Sequence, residues 1–116
     1  MEPESFLPLR SVELDILIGV ADGPTHGYAI LKEAEERRGG HPGFEIPTLY
    51  RALRRLREEG LVRSLRGVDE EPDARRRQYW QATSLGRDVL AAEIARLEAV
   101  VEAGKSRVAG AGGASA

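Results

Sequence analysis

The sequence predicts a mainly α fold with a small antiparallel β-hairpin, arranged as a winged helix-turn-helix with a C-terminal dimerisation helix. Three observations carry that prediction. Helical periodicity recurs in three segments between Ser11 and Glu59, each closed by glycine or proline. Two short β-prone runs, the second rich in aromatics, then flank the loop GVDEEPDA. A last long helical segment follows Thr83 and Ser84.

The elements follow in order. Residues 1–10 read as a flexible N-terminal segment, and residues 11–82 as the winged helix-turn-helix. Ser11 is the expected cap of the first helix, whose first turn holds Glu13 and Asp15 near the positive end of the dipole. Its apolar residues Val12, Ile16, Leu17 and Val20 share a face, and Leu14 and Ile18 widen the arc, so burial on more than one side is expected. Asp22-Gly23-Pro24 ends it. A second helix is predicted over 26–38 and is stopped by the glycine-rich run from Gly39 to Gly43.

The third helix starts at Pro47, which suits a first helical position because its missing N–H would be unpaired there anyway. Leu49, Ala52, Leu53 and Leu56 recur at i, i+3, i+4 and i+7. The opposite side then carries Arg51, Arg54, Arg55 and Glu58, with Tyr50 and Arg57 flanking. Gly60 closes the helix. Strands are predicted over 61–65 and 77–82, and either Thr83 or Ser84 caps the last helix, residues 83–108. Residues 109–116, AGAGGASA, have nothing to pack and are expected to be disordered.

Bulk properties narrow the function. The chain has 116 residues, a formal net charge of −2 and no cysteine. One domain fits that length, and disulfides and thiolate metal sites are excluded. Attraction for phosphate must come from local clusters of cations and not from total charge. MEPESFLPLR does not read as a secretory signal, and the apolar runs are too short to span a bilayer, so a cytoplasmic protein without a membrane partner is expected. His26 and His41 lack believable metal partners, and no nucleophile, phosphate loop or cofactor motif accompanies them; neither an enzyme, a cofactor nor a metal is expected.

In a winged helix-turn-helix the third helix is the one offered to the DNA major groove. Arginine suits that task, because its planar fork grips a phosphate or the O6/N7 edge of guanine with two hydrogen bonds.

HGYAILKEAEER from His26 to Arg37, PTLYRALRRLREEGLV from Pro47 to Val62, QYW from Gln78 to Trp80 and TSLG from Thr83 to Gly86 together resemble the PadR family of transcriptional regulators. The resemblance runs from about Leu14 into the last helix, and its single C-terminal helix is similar to the smaller subgroup. It implies a dimeric repressor of its own or a neighbouring promoter, bound to a palindromic double-stranded site and released by a small-molecule effector. It also implies that Tyr28, Thr48, Tyr50 and Arg51 approach the DNA. Arg54 and Arg55 extend that cationic face. Two departures from the family pattern stand out. Glu45-Ile46 precedes Pro47, so the Glu45 carboxylate is expected to turn toward an arginine of the same or the partner chain. The wing tip carries Asp69, Glu70, Glu71 and Asp73, so phosphate contact is assigned to Arg75, Arg76 and Arg77 at its stem.

Plainer readings compete with each assignment. The arginines of the third helix can form a solvated face paired with Glu58 and Glu59. Arg75 to Arg77 can simply neutralise the acidic loop, and Tyr28 can be a packing residue. Trp80 fits hydrophobic filling as well as a candidate effector pocket. The alternative function is a winged-helix module that binds another protein and no DNA. For assembly, Leu90, Ile94, Leu97 and Val101 alternate steps of four and three as in a helix-pairing seam, with Leu14 of the first helix joining them in a homodimer.

Overall fold

The computed structural model describes residues 2–41, 43–66 and 78–115. Four α-helices surround a three-stranded antiparallel sheet in the order α1 (Ser11–Val20), β1 (Thr25–His26), α2 (Gly27–Arg37), α3 (Ile46–Glu58), β2 (Val62–Arg66), β3 (Gln78–Ala82) and α4 (Ser84–Ser115). Strand β3 lies in the middle, with β1 on one side and β2 on the other. Val62 faces Ala82, Ser64 faces Trp80 and Arg66 faces Gln78, which is the predicted hairpin. The third strand is new: Thr25 pairs with Trp80 and His26 with Tyr79. The wing is thereby joined to the start of α2.

The core is assembled from the predicted stripes. Ile16, Leu17 and Val20 of α1 are fully buried, as are Leu53 and Leu56 of α3, and Leu49 and Ala52 are nearly so. Leu14 and Ile18 are half-buried against the same cluster, as a wide apolar arc on α1 requires. Leu61, Val62, Trp80, Ala82 and Val89 close it from the wing side.

The helix ends show how local chemistry sets the frame. Arg10, not Ser11, is the N-cap of α1, and its N–H donates to Glu13 Oε1 at 2.8 Å. A carboxylate three residues into the helix satisfies the orphan donor that a serine cap would leave open. His26 caps α2 by accepting the Ala29 N–H on Nδ1 at 3.2 Å. At the end of α3, Gly60 takes φ 81°. The Gly60 and Leu61 N–H groups then donate to the Arg57 and Leu56 carbonyls at 3.0 and 2.9 Å, a Schellman motif.

Thr83 resolves the choice of cap for α4. Its Oγ1 accepts the Gly86 N–H at 3.0 Å, and its hydroxyl donates to the Gly60 carbonyl at 2.6 Å. Its own N–H donates to the Leu61 carbonyl at 3.0 Å. A Cβ on Gly86 would overlap that same Leu61 carbonyl oxygen, so TSLG supplies a cap and, in Gly86, the close backbone approach that docks α4 on the end of α3.

Two ends differ from the sequence expectation. The N-terminal segment forms a 3₁₀ turn over Pro3–Phe6. Phe6, Leu7 and Leu9 then lie against the core, because their apolar side chains have somewhere to go. The Leu9 N–H donates to Glu93 Oε2 at 2.8 Å. At the other end α4 continues beyond Val108 through the alanine- and glycine-rich tail to Ser115, where 109–116 was expected to be disordered. Alanines in that stretch favour helix and its glycines oppose it, and no proline interrupts it.

Glu93 is 1% exposed and is held by Arg96 as well as by Leu9. The hydrogen bond from the Arg96 guanidinium lowers its pKa below the ordinary 4.5, against the opposing cost of burial. The folded state therefore keeps the charge where the unfolded chain takes up a proton. The resulting stability is complete above the ordinary glutamate value and is lost as pH falls through the lower, folded one. Glu93→Gln is expected to cost about 1–2 kcal/mol at pH 7, the lower end reflecting the partly solvated Arg96. Thermal melts followed by circular dichroism should show the wild type losing Tm more steeply than the variant as pH falls below the ordinary glutamate value.

Candidate nucleic-acid interface

The N-terminal turns of α2 and α3 meet at one edge of the molecule. The Tyr50 hydroxyl comes within 2.8 Å of where a Cβ on Gly27 would stand. The glycine of His-Gly-Tyr thus lets the α3 tyrosine lie across the start of α2. The next residue, Tyr28, is 59% exposed, and Lys32 Nζ sits 5.8 Å from its ring centroid. Tyr50 is partly exposed, and Thr48 is half-buried beside it.

The arginines of α3 divide by what they touch. Arg55 Nε donates to Glu13 Oε2 at 3.3 Å, tying α3 to α1. Arg57 lies 5.7 Å from the ring centroid of Trp80, tying α3 to β3. Arg51 Nη2 donates to Thr48 Oγ1 at 3.4 Å, a neutral contact one turn back. Arg54 is exposed and has no hydrogen-bonding or ion-pairing partner among the described residues. Two guanidiniums therefore fix the orientation of the helix, and two remain uncompensated on its outer edge. Neither Glu58 nor Glu59 forms an ion pair among the described residues, so the self-neutralised face that the sequence allowed is not formed there. Glu45 is the exposed N-cap of α3, makes no side-chain cap hydrogen bond, and meets no arginine among the described residues.

The acids of α1 do more than favour its dipole. Asp15 is buried and accepts from both Arg37, at 3.1 Å, and Arg38. The Arg38 guanidinium also lies 5.7 Å from the Phe44 ring centroid, in the turn that leads into α3. Glu13 and Asp15 thus grip arginines from α3 and from the end of α2 respectively. Sequence reasoning missed all three pairs, although two acids flanking Leu14 in an apolar helix were a signal that they too would need partners.

The remaining site residues fall as follows. Arg75, Arg76 and Arg77, and the acidic tip residues Asp69, Glu70, Glu71 and Asp73, lie outside the described residues. Trp80 is 1% exposed inside the core, with Arg57 over its ring, which fits hydrophobic filling. Of the seam on α4, Leu90 is buried in its own domain and Leu97 is half-buried. Ile94 and Val101 are 44% and 51% exposed. No helix among the described residues is long and apolar enough to cross a membrane.

The model of the transcriptional regulator PadR-like family matches residues 16–92, from α1 into α4. Among solved structures, a PadR family transcription regulator from Clostridium difficile superposes with a TM-score of 0.74 at 21% identity, over 85% of this chain and 99% of that one. A transcriptional regulator from Clostridium thermocellum gives 0.63 at 25% identity, over 82% and 84% of the two chains. A PadR-like transcription factor from Bacteroides fragilis gives 0.63 at 22% identity, over 82% and 87%. No curated protein matches the chain. The winged helix-turn-helix architecture expected from the order of elements is the architecture these structures share with it.

Proposed function

The chain belongs to the PadR-like family of transcriptional regulators, and from that membership we propose that it works as a homodimer on a palindromic double-stranded promoter site. It represses its own gene or a neighbouring one, and a small-molecule effector releases it. The observation that carries this reading is the uncompensated outer edge of α3. Arg51 and Arg54 stand there without a carboxylate partner among the described residues, beside exposed Tyr28 and Tyr50. A face built for solvent alone would gain from the glutamates of the same helix, and this one leaves them unused.

In this reading Tyr50, Arg51 and Arg54 read base edges, with Thr48 orienting Arg51. Tyr28 and the wing-stem residues Arg75 to Arg77 hold the backbone. Arg55, held by Glu13, sets the angle at which α3 enters the groove. An effector acts by binding one spacing of the two reading helices better than the other.

The experiment is a fluorescence-anisotropy titration of the protein with the DNA upstream of its coding region, repeated at rising salt. The expected affinity falls linearly on a log–log plot, and Arg51→Ala costs about 1–3 kcal/mol while relaxing preference at one base pair. An equal loss on every sequence would demote Arg51 to a backbone contact. No binding to that DNA at low salt would favour a protein-binding module instead.

A further inference from the structure

Where β2 begins, β3 ends and α4 starts there is a cleft of about 270 Å³, lined by Arg63, Gln81, Ala82, Thr83, Ser84 and Arg87. Its two cations are pre-oriented by neutral groups. Arg63 Nη2 donates to Gln81 Oε1 at 2.8 Å. Arg87 donates to the Ala82 carbonyl at 3.1 Å and to Ser84 Oγ at 3.4 Å. Neither guanidinium pairs with a carboxylate among the described residues. Neutral acceptors fix where a guanidinium points without cancelling its charge, and most of the five N–H donors on each remain available.

We infer that this cleft binds the phosphate group of a small anionic ligand between Arg63 on β2 and Arg87 on α4. The lining is almost wholly polar, so the ligand is recognised by charge and hydrogen bonding and not by an apolar body. A phosphate offers several oxygens in different directions, which suits two forks arriving from two walls better than a planar carboxylate does. Ser84 Oγ accepts from Arg87 and keeps its own proton for a ligand oxygen, whereas the Thr83 hydroxyl is committed to Gly60 and Gly86. The size is at the small end for a ligand site.

The place of the cleft separates it from the reading edge. It adjoins Thr83, which bonds to Gly60 just past the C-terminal end of α3. Arg51 stands in the middle of that helix, Ile46–Glu58, about two turns before its C-terminal end. A phosphate held there would cross-link the wing to α4 without occupying the edge that carries Arg51 and Arg54. Any effect on transcription rests on the DNA-binding reading; the phosphate site itself does not.

The test uses the full chain and two probes, inorganic phosphate and glycerol 3-phosphate, at ionic strength held constant with chloride. Side-chain Nε–Hε resonances of Arg63 and Arg87 should shift saturably with either probe. Tighter binding of glycerol 3-phosphate identifies a phosphorylated metabolite as the source, and equal binding identifies free phosphate. Arg63→Gln should weaken phosphate binding by about tenfold or more, through loss of a charge-assisted contact. Because Arg63 is an exposed strand residue, this variant keeps the test usable if Arg87→Gln perturbs the fold. Affinity for upstream DNA measured without phosphate should be unchanged in Arg63→Gln. Shifts that do not saturate, or that chloride alone reproduces, overturn the site. So does a parallel loss of DNA affinity in Arg63→Gln, which would make the cleft a backbone contact. Wild-type protein that binds phosphate but no DNA would instead end the proposed function and leave this site standing.

Discussion

Glutamate at both Ile94 and Val101 is expected to turn the protein into monomers and to weaken binding to a palindromic operator by about 10²–10⁴-fold, the avidity lost when two half-sites are no longer engaged together. The two side chains are 44% and 51% exposed on α4, and Val100 beside them is 54% exposed. Covering such a side chain gains about 1.5–3 kcal/mol when complete, and correspondingly less from a half-exposed start. An isologous interface meets its own image, so each new carboxylate would face like charge in an apolar seam. Neither position belongs to the intramolecular core. The domain's own melting temperature should therefore change little, which is why these two residues test the seam better than half-buried Leu97. Light scattering and anisotropy on the same samples provide the readout. A dimer that survives the double substitution places the interface elsewhere.

Trp80→Ala should cost about 3–5 kcal/mol, the range for emptying a large aromatic site in a core. Trp80 touches every layer: it pairs with Thr25 and Ser64 across the sheet, lies in the common apolar cluster and supports Arg57. Removing it opens a void and unsettles α3 at once. In a domain of this size a loss that large approaches the whole margin of stability. Trp80→Phe is expected to cost much less. Its smaller ring gives up contacts, but the indole Nε1–H is buried without a partner among the described residues, and phenylalanine removes that unmet donor. Chemical denaturation followed by circular dichroism separates the two variants. If alanine were tolerated while an effector response vanished, the ring would be a ligand platform after all.

The legible parts of the fold were those written in nearby residues. The stripe of Leu49, Ala52, Leu53 and Leu56 set α3 with its buried face, and Gly60 marked its end. Aromatic Tyr79 and Trp80 marked the returning strand. The two-residue strand β1 left no such trace. Thr25 and His26 have no alternation to display, and their pairing with β3 depends on chain more than fifty residues away. The ion pairs were hidden for the same reason. Glu13 and Asp15 look like ordinary first-turn acids until the partners from α3 and the end of α2 are folded against them. That explains why four arginines on one helix looked equivalent in sequence and are not. At Arg55 and Arg57 the partner is a distant acid and a distant ring, whereas at Arg51 and Arg54 the neighbours are local and neutral or missing among the described residues.

Thr83 is the lone residue between β3 and α4, and its hydrogen bonds to Gly60, Leu61 and Gly86 leave no slack there. The head and the shaft therefore turn as one piece. A shaft of 32 residues spans about 48 Å, so a pivot of a few degrees near one end sweeps the other by several ångströms. In the homodimer proposed above, subunits coupled through their shafts would have mechanical gearing: a minor adjustment of the crossing would be magnified at the grips, and a slack hinge at Thr83 would dissipate it.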